Sequence, residues 1–216
     1  MKILMNTGGL AQTNCFLIAD EATKQAVLFD APDSTVLPLM GQARARGWEV
    51  VGLWLTHGHF DHIADHEVVT AHFPSAKVII HHLEQPKLQQ AGVQSRMFQL
   101  PFTIPPRSAD ELIEDGQTLA VGSLSCKVMV TPGHAPGHVA FHFEKEEVLV
   151  GGDLIIGGSI GRTDLPDSNH ADLERSIRTI MRLPPSTRLL PGHGQPSTLA
   201  DERASNLFVQ QILAAG

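Results

Sequence analysis

The sequence has no tyrosine, only two cysteines and 5% aromatic residues in 216. No apolar run approaches the roughly 20 residues of a membrane-spanning helix. With only Cys15 and Cys126, a scaffold stapled by several disulfides is ruled out. Both lie in strand-like settings, so buried reduced thiols are expected, as in a cytoplasmic protein. Positive charge is scarce too: 16 Lys and Arg stand against 23 Asp and Glu, for a formal net charge of -7. A chain without a broad basic surface suits nucleic acid poorly, so nucleases are demoted. The opening segment breaks its short apolar start at Asn6-Thr7-Gly8-Gly9 and does not read as a signal peptide. No repeat, low-complexity tract or linker interrupts the chain, and its length suits one domain over residues 1–216.

What the sequence does have is histidine, 12 in all. Four ligand-type residues crowd one segment, Thr56-His57-Gly58-His59-Phe60-Asp61-His62. Chance would produce that fixed spacing in roughly one such chain in five hundred. The segment follows Val50–Leu55, an apolar run typical of a strand buried on both faces. Gly58 is expected to let the backbone leave the sheet in a conformation that larger residues resist. His57 and His59 then project from a strand end, where α/β sheets place ligands. The same order of apolar strand, small-residue turn and ligand recurs at His134, Asp153 and His193. Imidazole and carboxylate bind Zn²⁺ and similar ions, so metal-dependent hydrolysis leads before any comparison is made.

Strands are expected at Cys15–Ala19, Ala26–Phe29, Val50–Leu55, Val78–His81, Leu124–Val130, Val139–Phe143, Val148–Val150 and Arg188–Leu190. Helices are expected near Ser34–Ala45, His62–His72, His170–Arg182 and Leu199–Leu213. In the third, Leu173, Ile177, Ile180 and Met181 form an apolar stripe, with Asn169 and Asp172 at its cap. Thr198 and Asp201 offer a similar cap to the last. Strands alternating with helices give a layered α/β protein.

These motifs resemble the metallo-β-lactamase-fold hydrolases over nearly the whole chain. Within them, Gln94–Phe98, Gly157–Pro166 and Pro191–Gly194 resemble the hydroxyacylglutathione hydrolases (type II glyoxalases), in particular their short bacterial relatives. The resemblance implies a four-layer αβ/βα sandwich holding two divalent ions, with Zn expected and Fe or Mn as alternatives. His57, His59 and His134 would hold one ion, Asp61, His62 and His193 the other, and Asp153 would bridge them. Asp153 stands where the commonest zinc β-lactamases have Cys, so antibiotic hydrolysis is not expected as the main activity.

The implied substrate is a small-molecule acyl thioester attacked by a metal-bridging hydroxide, with Asp61 accepting the proton. Two departures matter: full-length type II glyoxalases place Tyr residues around glutathione, and they add a helical domain for which no room follows Gly216. Two rivals share the scaffold. One is a persulfide dioxygenase using a single Fe(II) at His57, His134 and Asp153; the other is a lactone or ester hydrolase. His138 either orients the site from a second layer of contacts or is a structural turn residue. Arg162 either receives an anionic substrate group or pairs with Asp164. Met97 and Phe98 are expected to be buried packing residues rather than an apolar wall at the entrance. Oligomeric state is not legible.

Overall fold

The structure is a computed structural model describing residues 1–215. They form two compact units, residues 1–113 with 120–124, and 114–119 with 125–215.

The first unit opens with a hairpin. β1 (Lys2–Gly8) and β2 (Thr13–Asp20) pair antiparallel from Lys2↔Ala19 to Gly8↔Thr13. β3 (Gln25–Phe29), β4 (Glu49–Trp54), β5 (Lys77–His81) and β6 (Glu111–Ile113) extend the sheet in chain order. From β3 onward the pairing is parallel, which requires crossovers. These carry α1 (Val36–Ala45), then α2 (Phe60–Ile63) and α3 (His66–His72), then α4 (Gln85–Gln89) and α5 (Ala91–Met97).

Alternate residues of the strands, among them Cys15, Leu17, Leu28, Leu53, Val78 and Ile80, share one core with Val36, Leu39, Met40 and Ala43 of α1. Each such aliphatic side chain contributes about 1.5–3 kcal/mol by burial. Phe16, Ile18, Val27 and Phe29, the intervening residues, are buried as well, so these strands read as continuous apolar runs.

The second unit contains β7 (Thr118–Val121), β8 (Leu124–Val130), β9 (Val139–Phe143) and β10 (Val148–Gly152), neighbours in one sheet in the order β10-β9-β8-β7. A small hairpin, β11 (Ile155–Ile156) with β12 (Ser159–Ile160), and α6 (His170–Ile180) lead to β13 (Arg188–Pro191), parallel to β10. β14 (Ser197–Thr198), α7 (Leu199–Ser205) and α8 (Leu207–Ala214) follow. The stripe Leu173, Ile177, Ile180 and Met181 is buried, as its spacing requires. Asn169 caps α6 by accepting from Asp172 N, and Thr198 and Asp201 form a reciprocal capping box on α7. Among the described residues no helix is long and apolar enough to cross a membrane.

Several expectations need correction. The helix expected over His62–His72 is two, because Ala64 and Asp65 intervene between α2 and α3. The one expected over Leu199–Leu213 breaks at Asn206, whose side chain accepts from Phe208 N and Val209 N and so starts α8. β1, β6, β7, α4 and α5 were not anticipated. β1 has no fully buried residue, and α4 carries Pro86 in its first turn, in a Gln-rich stretch without apolar period.

Two tests follow from backbone and charge. A Cβ at Gly133 (φ +139°) would overlap the Leu173 backbone, whereas one at Gly41 in α1 meets nothing. Gly41→Ala should therefore raise stability by about 0.5–1 kcal/mol, and Gly133→Ala should lower it by at least about 2 kcal/mol. Thermal unfolding checks both, and equal shifts would contradict the assignment. Separately, burial pushes the Asp65 carboxyl up to about 6. The folded state thus favours the protonated form. Its contribution is full below about pH 4 and is lost as pH rises through 6. The stability gain from Asp65→Asn should accordingly be larger at pH 7.5 than at pH 4 in urea titrations; a pH-independent difference would refute this.

Candidate metal centre

In the first unit the chain leaves β4 and turns through His57, Gly58 and His59 into α2, with His59 as its N-cap and Asp61 in its first turn. His57 and His62 are fully buried, and Asp61 is 8% exposed. The ring centroids of His57 and His59 lie 4.5 Å apart, and those of His57 and His62 4.1 Å. All four expected ligands of this segment are therefore gathered in one turn. Gly58 has no left-handed φ, contrary to expectation. Glycine is needed for close approach instead: a Cβ there would stand 2.8 Å from Lys87 Cβ and 3.1 Å from Glu84 O. Gly58 N donates to the buried Glu84 carboxylate (2.9 Å), and Gln94 Nε2 donates to Gly58 O (2.8 Å).

Behind the turn lies Asp30, 2% exposed with φ +58°. Its Oδ1 accepts from Thr56 N (2.8 Å), and its Oδ2 accepts from Thr56 Oγ1 (2.9 Å) and His62 Nδ1 (2.8 Å). Because the Thr56 hydroxyl spends its proton on Asp30, His57 Nδ1 must donate to Thr56 Oγ1 at 3.0 Å. Both imidazoles are thereby fixed with Nδ1 protonated and the lone pair on Nε2, the state a metal ligand needs. Thr13 Oγ1 donates to Asp61 Oδ2 at 2.7 Å and orients that carboxylate.

The second unit gathers the other three. His134 Nδ1 donates to Arg162 O (2.9 Å), which again puts the lone pair on Nε2. Asp153 Oδ2 lies 3.5 Å from His134 Nε2 and 3.3 Å from His193 Nε2. His138 Nε2 accepts from Asp153 N (3.0 Å), so its Nδ1 carries the proton and donates to Thr131 Oγ1 (2.8 Å). His138 thus holds the backbone of Asp153 rather than its carboxylate. Gly161 is needed here, since a Cβ would overlap Asp153 O.

The Arg162 guanidinium forms a two-point pair with Asp164 (2.6 and 2.7 Å) and is 61% exposed. That pair holds the Asp164 carboxyl down at about 2. Met97 and Phe98, expected to be buried, are 64% and 43% exposed. Cys15 and Cys126 are both buried, and burial raises each thiol above its ordinary value.

Asp30, Thr13, Thr56, Thr131, Glu84 and Gln94 were missed. Asp30 had a signal, because it follows the apolar strand Ala26–Phe29 just as Asp153 follows β10. The threonines had none, while Gln94 lies in the Gln94–Phe98 segment that carries the resemblance, without a role having been read for it. The donor set itself, five imidazoles, of which His57, His62 and His134 have Nδ1 committed, and two carboxylates, fits divalent transition metals.

A family model described as the metallo-beta-lactamase superfamily matches residues 8–193, and so spans both units. A probable metallo-hydrolase of Bacillus subtilis, YqgX, is 30% identical over 95% of both chains. The hydroxyacylglutathione hydrolase GloC of Haemophilus influenzae is 30% identical over 92% of this chain and 93% of its own. Among solved structures, the BLEG-1 B3 metallo-beta-lactamase superposes with TM-score 0.88 at 33% identity, covering 96% and 99% of the two chains. TTHA1623 in a di-iron-bound form gives TM-score 0.84 at 32% identity, covering 95% and 99%.

Replacing Asp30 by Asn removes one of the acceptors serving three donors. Asp30→Asn should weaken divalent-metal binding by about 10–100-fold. Competition with a chromophoric chelator measures this, and unchanged affinity would show that the hydrogen-bond chain does not tune the ligands.

Proposed function

The chain belongs to the metallo-β-lactamase superfamily, with its α/β sandwich fold, and on that footing we propose that it is a dinuclear hydrolase of acyl thioesters. S-(2-hydroxyacyl)glutathione is the leading substrate, and residues 1–216 act as one catalytic domain in the cytoplasm. His57, His59 and His134 would hold one ion, Asp61, His62 and His193 the other, and Asp153 both. Bound divalent ions of this kind lower the pKa of water from 15.7 towards about 7 and polarise an acyl carbonyl.

The residues of the chain do the rest. Asp61, oriented by Thr13, takes the proton of the attacking water. Asp30 and Thr56 keep His57 and His62 in the tautomer that presents Nε2. His138 fixes the turn from which Asp153 projects. The exposed Arg162 guanidinium is assigned to an anionic substrate group, for which it would exchange its partner Asp164. The observation that carries the dinuclear reading is Asp153 Oδ2, within 3.5 Å of His134 Nε2 and 3.3 Å of His193 Nε2, two histidines assigned to different ions.

The likeness to GloC supports the glutathione thioester, and the likeness to BLEG-1 favours β-lactam hydrolysis as a second reading. Zn is assigned first, with iron supported by the di-iron form of TTHA1623.

The test is to count metal in the purified, fully loaded protein and assay it in parallel. The substrates are S-lactoylglutathione, glutathione persulfide with oxygen uptake, and a chromogenic β-lactam. Two ions per chain, thioester hydrolysis, and loss of both in Asp153→Asn are expected. Two ions with no thioester turnover would overturn the substrate, and one Fe with persulfide-dependent oxygen uptake would overturn the hydrolase.

A further inference from the structure

α5 is built inside out. Its buried positions, Ala91 and Ser95, are small, while Val93 (46% exposed) and Met97 (64%) occupy the outer face. Val93 and Met97 are four apart and so adjacent on the helix. Phe98, directly after them, is 43% exposed. A helix normally turns its large apolar residues to the core, and clustered apolar exposure marks a binding surface.

The pair at the helix end is held in place. Gln99 takes φ +51°, its N–H donates to Arg96 O (3.2 Å), and Leu100 N donates to Ser95 O (2.9 Å). This is the paired-bond C-terminal cap. Ser95 Oγ also accepts from Ile104 N (2.9 Å), and Leu88, Ala91 and Ile104 belong to the core. Met97 and Phe98 therefore stand on a fixed platform.

The platform adjoins the ligand turn. Gln94 Nε2 holds the carbonyl of Gly58, between His57 and His59. The Phe98 ring packs 5.1 Å from Phe60, between His59 and Asp61 in sequence. Val93 also lines a cleft of about 210 Å³ with Pro86, Lys87, Gln90 and Gln94. The Lys87 ammonium in that cleft is paired with Glu84 at 2.9 Å. A surface of Val, Met and Phe is unsuited to a glutathionyl group, which carries two carboxylates and an ammonium, and suits an apolar acyl chain.

We propose that Val93, Met97 and Phe98 recognise an apolar acyl group of the substrate, so that acyl chains longer than lactoyl are preferred. The identity of the scissile bond rests on the thioester reading; the apolar surface does not. Methionine at its centre adapts to chains of different shape.

Using the metal-loaded full chain, kcat/KM is measured for S-acetyl-, S-butyryl- and S-hexanoylglutathione. It should rise about fourfold per methylene, mainly through KM. Met97→Ser/Phe98→Ser should flatten that rise; an undiminished rise in the double variant overturns the proposal. Thioesters of lactate with hexanethiol test the other half, and an equal gain there would overturn the acyl assignment.

A second readout needs no turnover. The ¹³C-methyl resonance of Met97, assigned with Met97→Leu, should shift with S-hexylglutathione and not with S-methylglutathione. No shift overturns the surface. A shift in a protein that hydrolyses no thioester supports the surface and overturns the thioester reading alone.

Discussion

The histidine turn of the first unit depends on the buried carboxylate of Asp30, which accepts from Thr56 N, Thr56 Oγ1 and His62 Nδ1. A carboxylate that is 2% exposed is tolerable only with such a set of donors around it. Its left-handed backbone costs about 1–3 kcal/mol, a strain that persists only where surroundings fix it. Here they do: Asp30 N donates to Trp54 O (3.1 Å) and Cys15 Sγ to Asp30 O (3.1 Å), so β2, β3 and β4 all hold the residue. From that point the proton order runs through Thr56 to His57 and directly to His62. The rigidity of a mixed sheet is thus transmitted to the tautomers of two histidines.

The second unit reaches the same end differently. Arg162 serves His134 through its carbonyl, and His138 serves Asp153 through a backbone N–H. Both rely on small residues that let chains approach, Gly133 against Leu173 and Gly161 against Asp153. The apolar face of α5 adds a third contribution beside the ligand turn, to which the helix is joined by Gln94 on the Gly58 carbonyl and by Phe98 on Phe60.

The seven candidate ligands stand out in the sequence because the His57–His62 segment and each of His134, Asp153 and His193 follow an apolar strand closely, a pattern read from sheet geometry and metal chemistry alone. Strands buried on both faces, such as β2, β9 and β10, were equally visible. The helix interruptions at Ala64-Asp65 and Asn206 were not, since apolar spacing continues across both; at Asn206 the side chain caps α8 and competes locally with helix continuation. α4 and α5 escaped notice for another reason: α5 buries Ala91 and Ser95 and exposes Val93 and Met97, so its apolar pattern points away from the core. That inversion also explains why Met97 and Phe98 were expected inside. The orienting threonines depend on contacts such as Thr13 with Asp61, 48 positions apart, which no local pattern encodes.

Anomalous diffraction from crystals of the metal-loaded protein tests the central claim most directly. The account requires two peaks, one ligated by His57, His59 and His134 and the other by Asp61, His62 and His193, with Asp153 touching both. A single peak, or Asp153 or His193 turned away from the metal, would contradict it.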